Sequence, residues 1–338
     1  MLNSRLAMSP TLSVVVPHYN HGRYVAGCLK ALLGQSRPPD ELILVEDGST
    51  DGSWPLIEPF AADPRVRLVR HEKNQGLSKT VADGLALCTG DYVFIPAADD
   101  LVLPGYFDKA MAQLAAHPQA GICCSLAGLI DADGRDLGPY RTPVVRDRPS
   151  YLSPAEFFEE YRKHGNWVTS TSAVFRRAAL IEAGGFPAEL GSTADGYLIH
   201  ALSARYGLCF IPERLVAWRP LETSLAYSST TDRALGLIET QDAWLARYGS
   251  VPPEHRARLK RVGLQNVLDH LTRLKPFPGE EARRVAAMID GGGSAIRGRT
   301  DDDRRGAALR HLSGAPEPLL HPRRGGRRAR REQRGAVH

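Results

Sequence analysis

Leu12-Ser13-Val14-Val15-Val16, closed by Pro17-His18-Tyr19-Asn20, is an apolar run that ends in a polar cluster, and the same figure returns twice. Glu46-Asp47 follows Leu42 to Val45, and Asp99-Asp100 lies just beyond Tyr92 to Ile95. Between these runs stand amphipathic stretches at Gly22 to Leu33, Trp54 to Ala62, Ser78 to Leu87 and Tyr106 to Ala116, with one more apolar run at Val66 to Arg70. This βαβα rhythm predicts an α/β fold with a mostly parallel sheet flanked by helices. Ligands of open α/β sheets bind outside the carboxyl ends of the strands, so the three polar clusters mark one crevice. Carboxylates alone repel phosphate, whereas a carboxylate-bound divalent cation inverts the local sign and can bridge to a pyrophosphate. The clusters therefore point to a metal-nucleotide complex.

Outward from this core, Gly121 to Leu129 reads as a further strand. A loop rich in Asp, Gly, Pro and Arg follows, from Asp131 to Pro149. Ser153-Pro154-Ala155-Glu156 has the pattern of a capping box with Pro at the first helical position, opening a helix to about Lys163. Thr169 to Phe175 is expected as a strand, Arg177 to Ala183 as a short helix stopped by Gly184-Gly185, and Thr193 to Tyr206 as a longer helix. Beyond Trp218, amphipathic patterns at Asp232 to Tyr248, Glu254 to Leu274 and Glu280 to Ile289 predict helices that pack on the body. The organisation expected is a flexible N-terminus over 1–10, an α/β domain over 11–220 and a C-terminal helical extension over 221–290. An Arg/Gly-rich tail over 291–338 has too few large apolar residues to offset the entropy of ordering.

Of the chain's net charge of +5, the tail alone carries an excess of seven, twelve Arg against five acids, which leaves about −2 for residues 1–290. A duplex nucleic-acid footprint is therefore absent from the body, and no specific nucleic-acid partner is expected. Arg323 to Arg334 could instead meet an anionic lipid surface, or simply stay solvated. No run approaches the roughly 20 apolar residues of a membrane span, and Met1 to Ser9 does not read as a secretory signal, so cytoplasmic residence, with possible peripheral contact at the inner face of the membrane, is expected. The five cysteines, an odd number without paired spacing, read as buried free thiols, and adjacent Cys123-Cys124 is not a zinc spacing.

Taken in order, Ser13 to Asn20, Val45-Glu46-Asp47-Gly48-Ser49-Thr50-Asp51-Gly52-Ser53, Asn74-Gln75-Gly76-Leu77-Ser78, Gly90-Asp91-Tyr92, Asp99-Asp100, and Gly184-Gly185-Phe186 leading to Asp195 resemble the inverting family 2 glycosyltransferases. That family has the nucleotide-diphospho-sugar transferase fold called GT-A, and the resemblance covers about residues 11–220. It implies that Pro17 and Tyr19 line a nucleobase pocket, the Tyr19 ring offering a face for stacking. Asp47 would accept from a base N–H, which suits uracil, although its Asp-Gly-Ser-Thr-Asp-Gly setting is also that of a turn. Asp99 would ligate Mn²⁺ or Mg²⁺ with Asp100 beside it, since both ions favour oxygen ligands. Lys73 or His71 could neutralise diphosphate. Asn20 and Ser49 could cap the helices that follow them.

Asp195 corresponds to the family's general base, and a carboxylate at a helix start also suits the helix dipole. The resemblance implies direct displacement at the anomeric carbon with inversion, a nucleotide-sugar donor, and a saccharide, lipid-linked or small-molecule acceptor. Trp167, Thr169 and Ser170, with Trp218 and Arg219, are candidates for the acceptor side. The chain departs from the family's usual pattern at Ala97-Ala98, at Ala194 and at Pro220-Leu221-Glu222. The alanines leave open a nucleotide-sugar-binding protein without turnover. Nucleotidyl transfer and dinucleotide-dependent redox chemistry are less well served, because no Gly-rich phosphate loop follows the first strand.

Overall fold

The computed structural model describes residues 9–221, 231–274 and 280–291. The readings made above for residues 1–8 and for the tail from 292 onward lie outside the described residues. Four apolar runs form the strands β1 (Leu12–His18), β2 (Glu41–Glu46), β3 (Val66–Arg70) and β4 (Tyr92–Phe94), all parallel, in the spatial order β3-β2-β1-β4. β1 and β2 are apolar almost without alternation because both faces are covered, whereas β3, at the edge of the sheet, carries the exposed Arg67 and Arg70. Leu12, Val14 and Val16 pack with Val25, Cys28, Leu29 and Leu32 of α1 (Gly22–Leu33) on one face, and Val15, Ile43 and Val45 meet the side of α3 (Leu77–Leu87) on the other. Between β2 and β3 the expected single helix is split into α2 (Trp54–Ile57) and a 3-10 turn (Glu58–Ala62), with Pro59 near the start of the turn.

Beyond β4 the sheet becomes mixed. The short β5 (Leu101–Val102) leads to α4 (Tyr106–Ala116), which packs with α1, and β6 (Ile122–Ile130) follows. β7 (Asp136–Pro139) pairs antiparallel with β6 inside the segment expected as a bare loop. β8 (Ser150–Leu152) precedes α5 (Pro154–His164), whose Ser153–Glu156 capping box is present as expected. β9 (Val174–Arg176) lies antiparallel between β4 and β6, and β10 (Leu208–Trp218) is parallel to β6 and antiparallel to β5 and β8. The α6 (Arg177–Glu182) and α7 (Ala194–Tyr206) helices follow β9, and α7 is buried over most of its surface because α5, α8 (Thr231–Tyr248) and the sheet enclose it. α9 (Pro253–Leu274) packs on α8, and α10 (Glu280–Gly291) on α9.

The segment Thr169 to Phe175 is not one strand. Ser170–Ser172 form a 3-10 turn and only Val174–Arg176 enter the sheet. Ser172 Oγ donates within reach of both Ser125 O and Thr169 O, at 2.9 and 2.8 Å, and this side-chain bonding competes with a ladder. The turn sits at the crevice end of the sheet, and its hydroxyls reach the carboxylates described next.

Candidate active site

The loops after β1 and β2 are tied to each other. Ser49 Oγ accepts from Asn20 N at 3.0 Å, and Asn20 Oδ1, on a residue with φ of 54°, accepts from Thr50 N at 2.8 Å. The first helical N–H of α1, on Gly22, is bonded across the loops by Asp51 Oδ2 at 2.8 Å. Burial would raise the Asp51 carboxyl, but hydrogen bonds from Ser53 and Gly22 outweigh it and hold it below the usual carboxylate range. Asn20 and Ser49 thus lock loop to loop rather than capping helices. Pro17 is half-buried and the Tyr19 ring is 42% exposed at the mouth, free to present a face.

Asp47 is 2% exposed at the end of β2. Its Oδ1 accepts from Gln75 N at 2.8 Å and faces His71 Nδ1 at 2.7 Å, and its Oδ2 accepts from Gly76 N at 2.9 Å. Burial pushes the carboxyl up, yet these donors and the Thr80 hydroxyl pull it below the usual range. The side chain expected to read a base is therefore occupied chiefly in holding the loop before α3. A carboxylate offers about four acceptor sites, so little of Asp47 is left for a nucleobase. The same loop crosses Gly48, whose φ is +69° and where a Cβ would lie 2.5 Å from Lys73 C. The Lys73 side chain is exposed on that loop.

Asp99 and Asp100 lie past β4 and are 6% and 4% exposed. Asp100 is enclosed by protein: Thr171 Oγ1 donates to Oδ2 at 2.5 Å, and Arg219 N to Oδ1 at 2.9 Å. Asp99 is less committed, with His21 Nδ1 at 3.6 Å as its nearest basic group. Burial raises both carboxyls, and the charge of Asp99 helps to bring Asp100 up to about 7. Two desolvated carboxylates side by side call for a counter-cation, and the open oxygens belong to Asp99. Among the described residues no group of three or more His, Cys, Asp and Glu side chains could hold a metal. An ion here would draw its remaining ligands from phosphate and water, a habit of Mg²⁺. Arg219 is 5% exposed; its Nε donates to Asp99 O at 2.8 Å, its guanidinium also bonds Asp131 O, and it lies 4.6 Å from the Tyr24 ring centre. It is a strut under the carboxylate pair rather than a substrate contact.

Asp195 stands in the first turn of α7, half-buried. Burial raises its carboxyl, while hydrogen bonds from Ser170 and from Gly196 N, the latter at 2.7 Å, favour its charged form. Ser170 and Thr171 are consecutive in the 3-10 turn, and one bonds Asp195 while the other bonds Asp100. Two carboxylates 95 positions apart in the chain thereby belong to one site. Thr171 and His21 had no periodic or motif signal to mark them. Of the acceptor-side candidates, Trp167 is withdrawn: it is 1% exposed, packed among Phe157 and Phe210. Trp218 is half-buried, edge-on to Tyr140 at 5.4 Å. Ala194, at the start of α7 beside Asp195, is buried in the core.

A mixed sheet with a carboxylate pair at its fourth strand and a further aspartate at a helix start defines the nucleotide-sugar transferase class of fold. The chain belongs to glycosyl transferase family 2, whose model matches residues 13–184. It is 40% identical over 96 residues to the glycosyltransferase GlyG of Streptococcus pneumoniae serotype 4, a match that covers 28% of this chain and 32% of GlyG, so the chain spans only about a third of that relative. Among solved structures, S. aureus TarS 1–349 in complex with UDP-GlcNAc superposes with a TM-score of 0.55 at 16% identity, covering 83% of this chain and 92% of that one. The mannosyltransferase PcManGT of Pyrobaculum calidifontis, in complex with GDP-Man and Mn²⁺, gives a TM-score of 0.51 at 22% identity over 85% and 80% of the two chains. These likenesses establish the shared GT-A fold. Among the described residues no helix is long and apolar enough to cross a membrane.

Proposed function

We propose that the protein is an inverting glycosyltransferase that moves a sugar from a nucleoside-diphosphate donor to an acceptor hydroxyl. The observation that carries this reading is the buried Asp99–Asp100 pair, in which only Asp99 keeps open oxygens toward the crevice. Tyr19 and Pro17 offer a surface for the nucleobase, Asp47 shapes the pocket and keeps at most one lone pair for a base N–H, and Lys73 stands where it can face the diphosphate. UDP is the proposed carrier, and the GDP-Man complex of the mannosyltransferase makes GDP the alternative to test. Asp99, backed by Asp100, would hold Mn²⁺ or Mg²⁺, which when bound supplies positive charge to the departing diphosphate.

The residues then divide the work. Asp195 takes the proton of the acceptor hydroxyl as the acceptor oxygen bonds to the anomeric carbon; the bond from that carbon to the diphosphate oxygen breaks, and the nucleoside diphosphate leaves with the electron pair. Displacement in one step inverts the anomeric configuration. Ser170 holds Asp195 charged and oriented, and Thr171 holds Asp100 against the same turn. The acceptor is proposed to be a saccharide, a lipid-linked sugar or a small molecule in glycoconjugate or surface-polysaccharide synthesis, and the protein to act in the cytoplasm. If the Arg-rich tail brings it to an anionic membrane surface, truncation after Asp290 abolishes co-sedimentation with anionic vesicles at low salt; equal sedimentation of the two proteins removes that attachment.

The test is a panel of UDP- and GDP-sugars with Mn²⁺, read by NMR of the anomeric proton during transfer or slow hydrolysis. One donor turned over with inverted product supports the reading. Retained configuration, or binding of every donor class without any turnover across an acceptor panel, contradicts it.

A further inference from the structure

We infer that His21 is a second protein ligand of the cation proposed for Asp99, so that the site favours Mn²⁺ over Mg²⁺. The inference rests on the donor-site reading above. Asp99 is not joined by its neighbours in the chain: Asp100 is taken up by Thr171 and the Arg219 N–H, and Ala97 and Ala98 have no donor atom in their side chains. A second protein ligand therefore has to come from another strand end, and the loop after β1 brings one. His21 Nδ1 is shut off from solvent, has no hydrogen-bond partner among the described residues, and lies 3.6 Å from Asp99 Oδ2. That separation is too long for a hydrogen bond. Two ligands each about 2.1 Å from a small divalent cation stand about 3 Å apart at right angles and about 4 Å apart when opposed, so one ion can serve both atoms. A buried polar nitrogen without a partner is rare in a native fold, and a shared ion would give it one.

The two residues are held at this distance by a frame that does not use the imidazole. His21 precedes α1 and its side chain makes no capping bond; its O instead accepts from Tyr24 N at 2.9 Å and Val25 N at 3.0 Å. Asn20, one residue earlier, is tied to Ser49 and Thr50. The ring leans on Tyr24, with centroids 6.4 Å apart, and the far partner of Tyr24 is the Arg219 guanidinium, whose Nε donates to Asp99 O. His21 and Asp99 are thus braced through one tyrosine and one arginine. The consequence lies in the donor set. Carboxylate, diphosphate and water oxygens suit Mg²⁺ and Mn²⁺ alike, whereas an imidazole nitrogen suits transition metals and adds little for Mg²⁺. His21 is where a preference for Mn²⁺ would arise, and phosphate and water keep the other positions.

Two readouts on the full-length chain decide the matter. Pulsed EPR of Mn²⁺ bound in the presence of UDP is expected to show a nitrogen coupling that changes with ¹⁵N-histidine labelling and is lost in His21→Phe, which keeps a ring against Tyr24 but has no donor atom. Calorimetry with UDP is expected to show Mn²⁺ affinity falling at least about tenfold in His21→Phe while Mg²⁺ affinity changes little. His21→Gln, which exchanges the nitrogen for an amide oxygen, is expected to keep Mg²⁺ binding and lose both the histidine coupling and the preference for Mn²⁺; it serves if His21→Phe fails to fold. Bound Mn²⁺ without a histidine coupling in the wild type, or a Mn²⁺ to Mg²⁺ affinity ratio unchanged in both variants, overturns the inference and leaves the donor-site reading standing. If the wild type binds no Mn²⁺ with either UDP or GDP, the donor-site reading fails and this inference fails with it.

Discussion

A single neighbouring hydroxyl favours the charged form of Asp195, the proposed general base. Its substitution by Asn keeps shape but removes the proton acceptor, so transfer is expected to fall by roughly 100-fold to 10,000-fold while UDP affinity holds, the range of general-base catalysis. Near-normal turnover with a defined acceptor would leave Asp195 only its place at the helix dipole. Ser170 stabilises the charged carboxylate, so Ser170→Ala is expected to raise the Asp195 pKa and move the acid limb of the kcat/KM profile to higher pH. An unmoved limb contradicts that coupling. At this scale the sequence showed the aspartates because motif order marks them. It did not show that His71, Gln75 and Gly76 occupy Asp47, that Arg219 braces Asp99 and Asp100, or that Trp167 is core, since each depends on which segment lies across from it in space.

The loops act as one frame because glycine lets them touch. At Gly48 a side chain would need a φ of +69° and would place Cβ 2.5 Å from the Lys73 backbone, whereas Gly52, with φ of +75°, has no atom within 4 Å of the same position. Gly48→Ala is expected to cost about 3 kcal/mol in denaturant unfolding, strain and overlap together, and Gly52→Ala roughly 1 kcal/mol from its dihedral alone. Equal costs would show that the loop before α3 does not press on Gly48. The first four strands were legible because each is a short run, apolar but for the arginines of β3, between long amphipathic stretches. Of the later ones, β6 was legible as the apolar run Gly121 to Leu129, but β5, β8 and β9 are two or three residues long, too short for a period, and β7 hides among turn-formers. The insertion of β9 antiparallel between β4 and β6 makes the sheet mixed and carries the Ser170–Thr171 turn to the crevice.

In the whole molecule, the C-terminal helices are joined to the family fold by a buried pair, His200 of α7 and His255 of α9, whose Nδ1 and Nε2 lie 3.2 Å apart. Phe157, Phe158 and Tyr161 of α5 surround them. Burial lowers both imidazoles, His200 well below its ordinary value and His255 to about 4. Between the unfolded value of about 6.5 and the folded one, the unfolded chain binds more protons, so stability falls as pH falls through that window. For His255 the loss is roughly 3 kcal/mol by pH 4, and His255→Gln is expected to flatten the decline in urea midpoints between pH 6.5 and 4; an unchanged decline assigns it to other groups. Helix patterns alone predicted these helices but not what docks them, because a histidine in an amphipathic stretch does not announce a partner 55 residues away. The central claim concerns the crevice that all these layers support, and Asp99→Asn tests it most directly. Calorimetry of UDP with and without Mn²⁺ is expected to show cation-dependent affinity in the wild type and its loss in Asp99→Asn, with the thermal unfolding midpoint little changed; metal-dependent UDP affinity equal in the two proteins would contradict the account.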